Sequence, residues 1–261
     1  MLKRVSGGSQ KYLPMKKIFK LALACLICGL LIASSQAQDS GSKIRVLIVT
    51  GGHDFEQPEF FKTFNSIEGI TCKSVAHPRA HEQLKAAAAK DWDVLLLYDM
   101  HQEITEEAKA DFLARINEGK GLLVMHHAIA SYQAWGDYQQ IIGAHYYLAK
   151  TNLNGIDKAR SAYKHGVDIP IKIANTTHPV TQGMTDYVIH DETYKWFDVY
   201  DGSEVLLRSP EPESSPIVAW ARTYQKSRIV YLQSGHDHLA WDNPNFKKFV
   251  TQSIKWVARK N

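Results

Sequence analysis

The chain has 261 residues, of which 44% are hydrophobic and 22% are charged, proportions that exclude wholesale disorder and collagen-like repetition. Its 31 basic and 27 acidic residues give a formal net charge of +4, and three cysteines are too few for a disulfide scaffold. A positive charge points to nucleic acid or membrane partners only if the basic residues belong to the working protein.

The first 37 residues predict a secretory signal peptide. Met15 to Lys20 is a compact basic stretch, Leu21 to Ala33 is an almost uninterrupted apolar run, and Ser35-Gln36-Ala37 is a small-x-small cleavage pattern. The run is shorter than the ~20 residues of a membrane-spanning helix, which disfavours the alternative of an uncleaved anchor. Met15 is the better translation start. We therefore expect export to a bacterial periplasm, cleavage before Gln38 and no stable membrane anchor afterwards.

Removal of residues 1–37 changes the charge of the protein. The segment holds six basic and no acidic residues, so 25 basic and 27 acidic residues remain, a net charge of −2. Nucleic acid is then not an expected partner. Cys72 is the only cysteine left, whereas all twelve histidines remain. The chain has no glycine-rich phosphate motif and no GxSxG elbow, so neither a nucleotide cofactor nor a serine hydrolase is predicted.

Residues 38–261 predict a single domain of alternating strands and helices. The first half predicts, in chain order, a strand at 43–50, a helix at 58–67, strands at 71–76 and 93–98, a helix at 105–117 and a strand at 121–125. The second half predicts strands at 167–173, 204–208, 217–221 and 228–233 and a helix at 244–258; residues 145–166 predict a long loop. This order predicts an α/β fold, a doubly wound, mostly parallel sheet with helices on both faces.

Polar clusters follow the predicted strands, where open parallel sheets bind their ligands. They are Gly51-Gly52-His53-Asp54, Tyr98-Asp99-Met100-His101, Met125-His126-His127-Ala128 and Ser234-Gly235-His236-Asp237-His238, with His190-Asp191-Glu192-Thr193-Tyr194 after a short apolar stretch. His53, His127 and His236 are predicted to bind zinc, manganese or nickel. Glu192 is either a further ligand or the general base. His77 and His81 lie outside the pattern and are expected to be surface or capping residues.

Aromatic residues accompany these clusters. Five lie beyond the fourth strand and three flank the later clusters, namely Tyr132, Trp135, Tyr138, Tyr146 and Tyr147, and Tyr194, Trp196 and Trp241. Flat rings stack on the apolar faces of sugars, but buried tyrosine and tryptophan are also common in protein cores. Both interpretations stay open at this point.

Five motifs in order resemble the ThuA-like (trehalose utilisation) family over about residues 43–258. They are Val49-Thr50-Gly51-Gly52-His53-Asp54-Phe55, Met125-His126-His127-Ala128, Thr177-His178-Pro179-Val180-Thr181-Gln182-Gly183, Asp191-Glu192-Thr193-Tyr194 and Gly235-His236-Asp237. The resemblance implies a flavodoxin-like fold of the class I glutamine-amidotransferase type. It also implies a link to disaccharide catabolism through 3-keto sugars made by partner dehydrogenases.

The resemblance also bears on single residues. In glutamine amidotransferases a nucleophilic cysteine follows the strand equivalent to 121–125, whereas this chain has His126 and His127 there and no thiol. Glutaminase activity is therefore not expected. The family pattern implies a further histidine after a Gly-Ala pair, a position that His145 matches.

Three hypotheses follow from the sequence. The first is an exported, metal-dependent hydrolase, lyase or isomerase acting on a glycoside or 3-keto-glycoside. Its catalytic residues would be His127, Glu192 and Asp191, and its substrate-binding residues Asp99, His126, His145, Tyr194, Trp196, Asp237 and His238. The second is a non-catalytic periplasmic sugar-binding module on the same fold. The third, a metal-free hydrolase using Asp191 and Glu192 as a pair, is disfavoured because adjacent strand residues point to opposite faces.

Overall fold

A computed structural model describes residues 43–260, and the predicted signal peptide lies outside these residues. The first half alternates strands and helices with the predicted bounds to within a few residues. Its elements are β1 (Ile44–Gly51), α1 (Gln57–Asn65), β2 (Ile70–Ala76), β3 (Val94–Asp99), α2 (Glu106–Glu118), β4 (Gly121–Met125) and α3 (Gly136–Ile142). Within the described part of the chain, no helix is both long enough and apolar enough to cross a membrane.

The second half is dominated by strands. Its elements are β5 (Ala144–His145), β6 (Thr151–Leu153), β7 (Ile156–Lys158), β8 (Ala162–Ile173), β9 (Tyr187–Lys195), β10 (Asp198–Val199), β11 (Glu204–Arg208), β12 (Ile217–Tyr224), β13 (Ser227–Leu232), α4 (His238–Trp241) and α5 (Pro244–Val257).

The main sheet has nine strands in the order β2-β1-β3-β4-β13-β12-β11-β8-β9. The five strands from β2 to β13 run parallel, and the remaining pairs are antiparallel. Only two residues join β12 to β13, and so short a connection can link only antiparallel neighbours. The predicted α/β class is confirmed, and the sheet is a mixed one whose parallel half carries the helices.

Helices cover both faces of the parallel strands. Successive residues of β1 point alternately to the two faces, so Val46 and Ile48 pack on one core and Leu47 and Val49 on the other. Helices α1 and α5 contribute Phe60, Phe64, Phe246, Phe249 and Ile254 to the first core. Helices α2 and α3 contribute Phe112, Ile116, Tyr138, Ile141 and Ile142 to the second.

Two predictions for the second half are wrong. Residues 145–166 are not one long loop, because they contain β5, the β6–β7 hairpin and the start of β8. The cluster at 190–194 does not follow a strand but lies within β9. The start of β8 and the whole of β9 were missed for one reason. The β8–β9 pairing is antiparallel and long-range, so its backbone hydrogen bonds form whatever polar side chains the two strands carry.

Replacing Thr105 with alanine is expected to lower the free energy of unfolding by about 1 kcal/mol. The Thr105 hydroxyl accepts a hydrogen bond from the Ala108 N–H at 3.2 Å and so caps α2. Thr105→Ser keeps the hydroxyl and should keep most of the stability. Urea denaturation of the three proteins measures the difference, and equal midpoints would contradict a capping role.

Candidate active site

The turn after β4 carries the first residue of the site. His126 is fully buried and has a φ of 54°, in the left-handed region that residues other than glycine seldom adopt. Such a conformation costs roughly 1–2 kcal/mol, so it persists only where the surrounding packing enforces it. A sharp, strained turn after a central strand also presents the nucleophile of elbow-type hydrolases. Here the same kind of turn presents an imidazole.

Three potential ligand atoms converge beside this turn. The Nε2 atom of His126 lies 3.0 Å from Glu192 Oε2 and 3.3 Å from His236 Nδ1, and the latter two atoms are 3.5 Å apart. A tetrahedral zinc ion with bonds of ~2.0–2.1 Å holds its ligands about 3.3 Å from one another. Among residues 43–260, these three form the group of potential metal ligands whose ligand atoms all lie within 4.8 Å of one another. The donor set and its spacing fit a divalent metal ion.

The hydrogen bonds of His126 orient its ring towards that cluster. Its Nδ1 lies 2.7 Å from the Gln233 carbonyl oxygen, which can only accept a hydrogen bond, so we assign the ring proton to Nδ1. This hydrogen bond leaves Nε2 facing Glu192. Burial disfavours the charged imidazole, but the Glu192 hydrogen bond and the charge of Asp191 outweigh it and raise the pKa of His126. Burial likewise favours the neutral Glu192 carboxyl, yet His126 and His236 lower its pKa. The cluster therefore attracts one positive charge, either a proton or a cation.

Asp191 holds the turn that carries His236. Its buried carboxylate accepts hydrogen bonds from the backbone N–H groups of Gly235 at 2.7 Å, His236 at 3.0 Å and Glu192 at 2.8 Å. Burial raises the pKa of Asp191, and the charge of His126 and these N–H donors oppose that rise. Both oxygens accept hydrogen bonds from the backbone, an arrangement that favours a positioning role over the catalytic role predicted for Asp191.

His127 points into the adjacent cavity. It is 4% exposed, and neither of its ring nitrogens has a side-chain hydrogen-bond partner within the described residues. Its ring stacks on that of His53 with 4.4 Å between centroids. Burial, with the neighbouring charges of His126 and His53, lowers the pKa of His127 well below its ordinary value. The lowered pKa keeps the imidazole neutral, so a free nitrogen can accept a proton, and it makes His127 a weaker base than an exposed histidine.

The cavity has a volume of about 270 Å³, near the lower end for small-molecule sites. Glu192 lies in its wall, with Oε1 3.3 Å from His165 Nδ1. The Tyr194 hydroxyl reaches His126 Nε2 at 2.9 Å. The lining residues are His53, Met100, His127, Ile129, Ala130, Tyr146, Leu148, Arg160, Tyr163, His165, Glu192 and Tyr194.

The structure brings together part of the predicted site, and the histidines that converge differ from the predicted ones. His53, His127, Glu192 and Tyr194 line the cavity, and His236 lies next to Glu192. His53, His127 and His236 do not form the predicted metal set, because the first two rings stack face to face and their nitrogens do not converge. His126, predicted to bind substrate, is the histidine that lies with His236 beside Glu192.

Two predicted substrate-binding residues, Asp99 and His145, are not among those that line the cavity. Asp99 is fully buried and pairs with His77 Nε2 at 2.9 Å. His145 is 3.3 Å from the Gln139 side-chain nitrogen and packs on the Tyr147 ring. His77 was expected at the surface, but its side chain is only 2% exposed because it fills the space between Asp99 and the Tyr132 hydroxyl.

The other three predicted substrate-binding residues are also not part of the lining. Trp196 is 60% exposed and follows the end of β9. Asp237 caps α4 by accepting a hydrogen bond from the Leu239 N–H at 2.9 Å. His238 pairs with the exposed Glu56 at 2.9 Å.

Arg160, Tyr163 and His165 line the cavity and were missed by the sequence reasoning. All three lie in the segment that predicted a loop. A usable signal was present: Tyr163 and His165 are two residues apart, a spacing that puts both side chains on one face of a strand.

Comparisons with known proteins identify a family and a fold. The family model described as trehalose utilisation, ThuA, matches residues 45–257. A ThuA-like protein from Parabacteroides merdae is 16% identical with a TM-score of 0.69, over 83% of this chain and 90% of that chain. One from Bacteroides uniformis is 16% identical with a TM-score of 0.60, over 84% and 92%. A glutamine amidotransferase from Thermotoga maritima is 10% identical with a TM-score of 0.50, over 84% and 100%.

At these identities the solved structures show the fold alone, which is the class I glutamine-amidotransferase type. No curated protein matches the sequence. The family match, in contrast, spans nearly all of the described chain and includes every residue of the histidine–carboxylate cluster. The chain therefore belongs to the ThuA family, whose general role is in sugar utilisation.

Proposed function

We propose that the protein is an exported enzyme acting on a glycoside or 3-keto-glycoside, with a divalent metal ion held by His126, Glu192 and His236. The observation that carries the proposal is the spacing of 3.0–3.5 Å between these three ligand atoms, one of which belongs to Glu192 in the wall of the cavity. Two imidazoles and one carboxylate suit zinc, manganese or nickel, and three protein ligands leave a position open for catalysis.

The surrounding residues suit proton transfer next to a sugar carbonyl. A divalent ion at this position would polarise the carbonyl oxygen of a keto sugar and so acidify the neighbouring C–H. His127, neutral and facing the cavity, can take the proton from that carbon. In an elimination, the electron pair left on carbon forms a double bond as the glycosidic C–O bond breaks. Burial raises the pKa of Tyr194 well above its ordinary value, so its hydroxyl stays protonated and can donate a hydrogen bond to the departing oxygen, which takes up the proton first accepted by His127.

The lining and the family support a sugar as the substrate. Tyr146, Tyr163 and Tyr194 offer flat rings on which a pyranose can stack. The ThuA resemblance implies that partner dehydrogenases supply 3-keto sugars, and a 3-keto-glycoside has the acidic C–H that this site would use. Elimination and isomerisation of such a compound would both begin with loss of that proton, and elimination followed by addition of water would give net hydrolysis.

Metal analysis and a turnover assay on the mature protein test the proposal together. We expect about one zinc, manganese or nickel ion per chain, consumption of a 3-keto-glycoside faster than its parent glycoside in an NMR time course, and loss of turnover with a chelator. Sugar binding by calorimetry with neither metal nor turnover would contradict the proposal. That result would favour a non-catalytic sugar-binding module.

Export is tested on the full chain. N-terminal sequencing of the protein secreted into the periplasm is expected to begin at Gln38, because Ser35-Gln36-Ala37 fits the requirement of signal peptidase. A secreted protein that retains residues before Gln38, or a chain that stays in the cytoplasm, would contradict it.

A further inference from the structure

Arg160 lies at the cavity with no hydrogen bond or ion pair to any other residue between 43 and 260. Its guanidinium is always charged, and all five of its N–H groups can only donate. The one carboxylate in the lining, Glu192, is already engaged, with Oε2 beside His126 and His236 and Oε1 beside His165. A positive charge at the cavity is therefore left for whatever enters it.

The backbone next to Arg160 is held firmly beside the tyrosines of the lining. Ser161 is 3% exposed; its N–H donates to the Tyr147 carbonyl and its hydroxyl accepts from the Tyr147 N–H, both at 2.9 Å. The same hydroxyl donates to the Trp196 carbonyl at 2.9 Å. Arg160 and Tyr146 consequently sit on adjacent, mutually bonded segments, close enough for the arginine charge to act on the Tyr146 hydroxyl. A guanidinium on an anchored segment loses less freedom on binding than one on a free loop.

The lining combines one group that can only donate, Arg160, with one carboxylate, Glu192. Beside Arg160 and the tyrosines it holds the imidazoles of His53, His127 and His165, whereas it includes no Asp, Asn, Gln, Ser or Thr. Sugar hydroxyls, tyrosine hydroxyls and neutral imidazoles all both donate and accept, so none of them specifically requires the donor-only guanidinium. A carboxylate only accepts, and its planar pair of oxygens matches the fork of a guanidinium.

We propose that the ligand of this cavity is an acidic sugar, one bearing a carboxylate such as a uronic acid unit. Arg160 binds the carboxylate with two parallel hydrogen bonds, and the hydroxyls of Tyr146 and Tyr163 add further donors. The proposal rests on the proposed function only in taking a sugar as the ligand. It requires neither a metal ion nor any particular reaction.

Calorimetric titration with D-glucuronate and D-glucose tests this without turnover. The mature protein is expected to bind glucuronate more tightly than glucose. Arg160→Gln should weaken glucuronate binding roughly 10- to 100-fold, the range for a lost charge-assisted pair, and leave glucose binding unchanged. Arg160→Lys should fall between the two, since a lysine is a single point charge without the fork. Lys164→Gln is the matched control, because it removes one positive charge from β8 outside the cavity lining and should change neither affinity.

Several results would overturn the proposal. In the first, the unmodified protein binds glucuronate no more tightly than glucose, or does not bind it. In the second, Arg160→Gln weakens the binding of both sugars equally. In the third, the protein binds glucose 6-phosphate more tightly than glucuronate. Unchanged glucuronate affinity in Arg160→Gln would also do so, because the carboxylate would then be held elsewhere, for example at His126. Arg160-dependent glucuronate binding in a protein that turns over no keto-glycoside would leave this inference standing and remove the proposed function.

Discussion

Replacing Glu192 with glutamine is expected to reduce turnover of a 3-keto-glycoside about 10³-fold and to remove the bound metal ion. Glutamine has nearly the same size, but its amide is neutral and replaces one carboxylate oxygen by an NH2 group. In the native site Oε2 lies 3.0 Å from His126 Nε2 and 3.5 Å from His236 Nδ1, so its negative charge is central to the cluster. Metal content per chain and kcat are the two measurements.

Two further variants separate the roles within this prediction. Glu56→Gln is the matched control, because Glu56 is an exposed carboxylate that pairs with His238 away from the cavity, and metal content and kcat should be unchanged. His127→Ala should keep the metal ion yet lower kcat roughly 10²- to 10³-fold, since His127 is assigned to proton transfer. Retained metal in Glu192→Gln would contradict the ligand set. Unchanged turnover in His127→Ala would contradict the proton-transfer role.

The parallel half of the fold could be predicted from sequence because its strands are buried on both faces. Such strands read as continuous apolar runs, and Gly121–Met125 has the predicted bounds for this reason. The helix from Glu106 to Glu118 was equally predictable from sequence, since Thr105 caps its start and Gly119 ends it with a φ of 93°. Each of these signals is local to the element that it defines.

The site could be predicted only in part, because side-chain direction depends on long-range structure. The sequence indicates that two histidines follow β4, but the left-handed turn at His126 decides which of them meets Glu192. Likewise Asp191 and Glu192 are adjacent acids, and only the pairing of β9 with β8 shows that one supports the backbone while the other lines the cavity. No local pattern contains either fact.

Replacing Asp191 with alanine is expected to lower the free energy of unfolding by about 3 kcal/mol or more. The substitution would leave the buried N–H groups of Gly235, His236 and Glu192 without their shared acceptor. Asp191→Asn should be destabilising too, because its side-chain NH2 would face N–H donors where an oxygen now accepts. Urea denaturation gives the loss of stability. A weaker metal affinity should accompany it, since the turn that presents His236 loses its anchor.

Asp201→Ala is the matched control for this experiment. Asp201 is exposed, and the same loss of a carboxylate there should change the free energy of unfolding by no more than about 0.5 kcal/mol. The metal readout distinguishes positioning from catalysis. If Asp191 positions His236, Asp191→Asn loses stability and metal affinity together. If Asp191 were a reacting group with no structural role, Asp191→Asn would lose turnover. Its urea midpoint and metal content would then equal those of the unmodified protein. The three backbone N–H bonds to the Asp191 carboxylate favour the first result.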